Sequence, residues 1–134
     1  MKKVGQYWLS VLNDKHSRRN AYAGKVLSRI RYYPAIPDLI RNIHIADVTV
    51  SLYPGGEVRT VRRSLAEFGN AAIPDIIDAY LSTTNGTERR GFTLTIQTGK
   101  TESFAITYLT GLHAQGDKRV TDQILREFKQ ELGQ

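Results

Sequence analysis

Apolar residues along this chain follow two rhythms, and each predicts its own kind of element. Ala23, Val26, Leu27 and Ile30 recur at i, i+3, i+4 and i+7, the single stripe of an amphipathic helix. Asn20 is its expected N-cap, because an asparagine oxygen accepts from the free amides of a first turn. Ile73, Ile76, Ile77, Tyr80 and Leu81 mark a second helix, with Pro74 in the first turn where its missing donor is harmless. Val120, Ile124, Leu125, Phe128 and Leu132 mark a third, with Asp117 as N-cap and Gly133 at its end. Trp8, Leu9, Val11 and Leu12 read as a short helix before a polar break at residues 13–20.

Elsewhere the period is two. Val48-Thr49-Val50-Ser51-Leu52 alternates strictly, Pro54-Gly55-Gly56 reads as a tight turn, and residues 57–64 return as a second strand with a bulge to correct its phase. Phe92, Leu94 and Ile96 alternate with threonines as a third strand. A hairpin turn at Thr98-Gly99-Lys100-Thr101 leads to a fourth through Phe104, Ile106 and Tyr108. Pro34 and Pro37 end the first long helix at a Tyr33-Pro34 corner, residues 38–42 form one helical turn, Gly69-Asn70 breaks strand from helix, and residues 82–91 form a polar loop. The expected fold is therefore α+β: a small antiparallel sheet of three to four strands packed against two to three helices. One domain spans 1–134, with its core at 20–110 and with residues 1–19 and the helix at 117–133 as additions.

Composition narrows the function. With 134 residues and 40% hydrophobic content, the chain can bury a core. It has no cysteine, which excludes disulfides, zinc–thiolate sites and thiol nucleophiles. No apolar window reaches the roughly 18 residues that span a bilayer. The net charge of +6 admits nucleic acid, an anionic membrane surface or an acidic protein as partner. The basic pairs are spread along the chain, so they read first as solvated faces.

Catalytic chemistry has little to work with. No phosphate-binding glycine loop, metalloprotease helix, nucleophile elbow or calcium loop occurs. His16, His44 and His113 stand far apart, and no metal and no cofactor is expected. Asp75 and Asp78 share a helix face, where the dipole accounts for them. Glu57 reads as part of a solvated hairpin tip. Tyr53, Tyr108, Phe92 and Phe104 could serve as stacking platforms, but Phe92 and Phe104 keep phase with Leu94, Ile96 and Ile106, as core residues would.

The block from Tyr22 to Leu81, continued through Gln97, resembles the C-terminal domain of the TonB/TolA family. The resemblance rests on Tyr33-Pro34, Val48 to Leu52, Gly56 with Val58 and Val61, Gly69-Asn70, the helix carrying Ala79, and Phe92 to Gln97. It implies a non-enzymatic interaction module of a cell-envelope assembly serving transport, force transduction or secretion. Such a domain is periplasmic when excised from an envelope protein and otherwise cytoplasmic here. Its partner would be a peptide of an outer-membrane component, added as a strand along Phe92, Thr93, Leu94, Thr95, Ile96 and Gln97, with Tyr33 and Pro34 in contact. Strand exchange between copies would give a homodimer. The alternative is a cytoplasmic nucleic-acid-binding or regulatory protein of plasmid or phage type, holding phosphates with Arg59, Arg62, Arg63, Arg89 and Arg90.

Overall fold

The computed structural model describes residues 2–47 and 59–133, and these form two compact units, Met1–Phe68 and Gly69–Gln134. In the first unit, α1 (Lys2–Leu12) lies against α2 (Asn20–Arg29), and α2 packs in turn on α4 (Val61–Glu67). A 3-10 turn at Tyr33–Ala35 feeds α3 (Ile36–Arg41), which also rests on α4. Leu12, Ala23, Leu27, Leu39, Val61 and Leu65 are buried between these helices. The helix expected from Ala23, Val26, Leu27 and Ile30 is thus present, with Ala23 and Leu27 at its centre.

Small residues set the helix spacing in this unit. A Cβ on Gly5 would fall 2.3 Å from the Tyr32 ring, so α1 comes closer to that ring than any other residue would allow. A Cβ on Gly24 would lie 3.2 Å from Leu39, against α3. Asn20 works in a way its position did not suggest. It is the first helical residue of α2, and its side-chain amide donates backwards to the carbonyls of Val11 (3.1 Å), Leu12 (2.9 Å) and Asp14 (2.8 Å). Leu12 O is one of the orphan acceptors at the end of α1, and Val11 O and Asp14 O, which also accept from the amides of Asp14 and Ser17, lie beside it, so the asparagine closes the preceding helix and its turn instead of opening its own.

The second unit begins at Gly69, whose φ of 63° turns the chain before a 3-10 segment, Gly69–Ala72. There follow α5 (Ile73–Ser82), α6 (Gly86–Thr98), α7 (Glu102–Ala114) and α8 (Asp122–Glu131). Ile73, Ile76, Ile77 and Tyr80 of α5 meet Phe92 and Ile96 of α6, Ala105 and Leu109 of α7, and Phe128 of α8 in one core. Asn85 caps α6 by accepting from the amides of Thr87 (2.9 Å) and Glu88 (3.1 Å). Thr121, not Asp117, caps α8 by accepting from Ile124 (3.1 Å). Gly133 follows the last helix with a φ of 78°.

The α+β expectation is overturned: the described residues are helical. Among them the sole extended pairing is a two-residue antiparallel contact of Ala46 with Thr60 and Asp47 with Arg59, far short of the expected three to four strands. The expected first strand at 48–52, its Gly-Gly turn and Tyr53 lie outside the described residues. Val61 to Ser64, expected as strand, form the first turns of α4. The third and fourth strands are α6 and α7, and the hairpin turn between them is a helix–helix turn in which Lys100 adopts a φ of 55°. Part of the loop expected at 82–91 is the start of α6.

The physical reason lies in how α6 satisfies its threonines. Thr93 donates to Arg90 O (3.1 Å), Thr95 to Gly91 O (2.8 Å) and Thr98 to Leu94 O (2.8 Å). Each hydroxyl is spent on its own helix, which makes β-branched residues tolerable there. Phe92 and Ile96, two apart in the strand reading from Leu94, are also four apart on a helix and share its buried side. In α7 the alternating set is not the buried one: Phe104 is 42% exposed, while Ala105 and Leu109 are enclosed.

Candidate functional site

The residues expected to hold a partner strand cannot do so. Phe92, Thr93, Thr95 and Ile96 are buried in α6, their backbone amides committed to a helix. No sheet edge exists at 92–97, which withdraws strand addition and strand exchange along it. Tyr33 and Pro34 sit in the other unit, where Tyr33 is 53% exposed and its ring lies 5.8 Å from that of Phe68.

The five arginines proposed for phosphate divide between the units. Arg62 is half-buried and Arg63 exposed on α4, while the side chain of Arg59 lies outside the described residues. Arg89 is turned inward, its guanidinium 5.1 Å from the Tyr80 ring centroid, and Arg90 is exposed.

A different basic surface stands out, on α1 and α2. The first 37 residues hold eight Lys or Arg (Lys2, Lys3, Lys15, Arg18, Arg19, Lys25, Arg29 and Arg31) and one acid, Asp14. The first unit as a whole has twelve basic and five acidic residues, for +7; the second has seven and eight, for −1. On this surface the rings of Tyr7 and Trp8 meet edge to face at 5.1 Å, and those of Trp8 and Tyr22 at 5.4 Å. The Arg19 guanidinium stands 5.2 Å from the Tyr22 centroid and 5.8 Å from that of Trp8, within range of a cation–π attraction to both. Tyr22, Lys25 and Arg29 follow at i, i+3 and i+7 on the outer side of α2. Among the described residues, Lys2, Lys3, Lys15, Arg18 and Arg19 form no ion pair.

Residues that looked chemical by sequence have structural work. Arg119 donates to Asp78 (2.6 Å) and to Asp117 (3.1 Å), tying α5 to the turn before α8, and its side-chain and then its backbone hydrogen bonds to Asp117 hold that carboxyl below its ordinary pKa. His113 meets Asp122 at 2.8 Å, joining α7 to α8. Asp75 is exposed in the first turn of α5, on the favourable end of the dipole. No group of His, Asp or Glu suited to a metal occurs among the described residues.

In the second unit, the hydroxyl of Tyr80, Nε of Arg89 and Oε2 of Glu131 are buried without a hydrogen-bond partner among the described residues. Burial first, and then the negative charge of Glu131, raises the Tyr80 phenol to about 12.

No family model, curated protein or solved structure matches this chain. No described helix is long and apolar enough to cross a membrane.

Proposed function

We propose that this protein binds nucleic acid through the outer face of α1 and α2. The observation that supports it most directly is the placing of Arg19 against Trp8 and Tyr22 within a segment of eight cations and one acid. Unpaired cations attract phosphates and release their condensed counterions, which supplies affinity without a sequence requirement. The exposed ring of Tyr7 and the half-buried rings of Trp8 and Tyr22 beside them give a second mode of contact that a surface built only for solubility would not need. The arginines of this reading are therefore Arg18 and Arg19 in place of Arg59, Arg62, Arg63, Arg89 and Arg90.

Titration of a labelled oligonucleotide by anisotropy, repeated across salt concentrations, tests the proposal. Five phosphate contacts give a slope of log affinity against log salt of about −3.5 to −4.5. Replacing Arg18 and Arg19 with alanine should lower the magnitude of that slope by about two, with the helical circular dichroism unchanged. Absence of binding at low salt, or an affinity indifferent to salt, would overturn the reading.

A further inference from the structure

The same face indicates which form of nucleic acid it takes. We infer, resting on the nucleic-acid reading above, that the ligand is single-stranded, with unstacked bases lying against Tyr7 and the Trp8–Tyr22 pair while Arg18, Arg19 and Lys3 follow the phosphates.

The argument begins with what α1 leaves outside. Gly5 and Leu12 face the core, yet Val4, Tyr7, Trp8 and Val11 recur at i, i+3, i+4 and i+7 as a second apolar stripe. Val4 is 43% and Tyr7 58% exposed. A duplex would offer that stripe mainly sugars and phosphates, since its bases are stacked on one another. An unpaired strand offers base faces, and any base can stack on an exposed ring whatever its sequence. Lys3 lies one turn from Tyr7 on the same side of α1, and Arg19 stands over the rings. A base seated on Tyr7 therefore has cations within reach of the phosphates on either side.

A lipid surface would be drawn by the same charges. But α1 has only 11 residues, and one of its sides is already committed to the fold. Its outward apolar area is that of a few side chains, far less than the broad hydrophobic face with which interfacial helices insert. Stacking needs only the rings that are there.

Trp8 is the sole tryptophan of the chain, so its emission reports this site alone. The whole protein is titrated with an oligothymidylate of about 16 nucleotides, within the span of known single-strand sites, and with a duplex of equal length. Saturable quenching of Trp8 by the single strand is expected, with weaker binding of the duplex. Tyr7→Ala should weaken the single strand about fivefold to a hundredfold, Tyr7→Phe should restore it, and duplex affinity should stay within about twofold. Equal affinity for both forms, with Trp8 emission unmoved or Tyr7→Ala affecting both alike, ends the single-strand inference and leaves nucleic-acid binding standing. No binding of either at low salt ends both. A blue shift of Trp8 on phosphatidylserine vesicles, with no response to the oligonucleotide, overturns both in favour of a lipid surface.

Discussion

The Tyr80 ring is wholly enclosed, 5.1 Å from that of Phe128, and its phenol is raised to about 12. An unfolded tyrosine loses its proton near 10. Below about pH 9 both states keep the proton and this group leaves stability level. As pH climbs from about 10 to about 12 the unfolded chain ionises first, so stability falls, by about 2–3 kcal/mol over that interval. Tyr80→Phe should flatten this alkaline limb. Because the hydroxyl has no protein partner among the described residues, the change should cost under about 1 kcal/mol at neutral pH. Urea melts at neutral pH and near pH 11 read both; an unaltered alkaline slope would refute the assignment. At this scale the apolar stripe that includes Tyr80 was legible, since only its spacing mattered. The role of Asn20 was not, because a capping preference says nothing of three carbonyls six to nine positions earlier. Nor was the Trp8–Arg19 contact, which has no periodic signature and exists only because α1 folds back on α2.

Among the described elements, those with a 3.6-residue stripe were readable, and the two-residue stripes at 92–96 and 104–108 misled. Thr93, Thr95 and Thr98 carry the preference of a strand, and the third-strand assignment followed from it. Local propensity is weak beside the burial of Phe92 and Ile96 in a helical core. The TonB/TolA resemblance leaned on the same alternation, and its sheet went with it. Two glycines test helix contacts directly. Gly5→Ala gains helix propensity but drives a methyl into the Tyr32 ring, and should destabilise by about 1–3 kcal/mol. Gly91→Ala in α6 meets nothing within 4 Å, and should stabilise by about 0.5–1 kcal/mol. Thermal melts of the two variants should move in opposite directions. A rise in both would mean that α1 does not approach Tyr32 as described.

At the scale of the whole molecule, charge is divided more sharply than the total of +6 discloses, with +7 in the first unit and −1 in the second. The basic pairs seemed dispersed because they were weighed by run length, whereas the division into units puts twelve of the nineteen basic residues in the first, eight of them on and beside α1 and α2. The nearly neutral second unit has its own vulnerability, set by the threonine-lined helix α6. Phe92 to Thr98 contains no charge, no proline and no glycine, and its helical state depends on the core it fills. Once heat opens that unit, the same seven residues are free to stack between molecules as cross-β layers. Incubation near the melting temperature should yield thioflavin-positive fibres, and Thr98→Lys, a charge on an exposed position, should delay them. The alternation that misleads a reader of the folded chain would then describe its aggregate: a segment kept from amyloid by its neighbours alone.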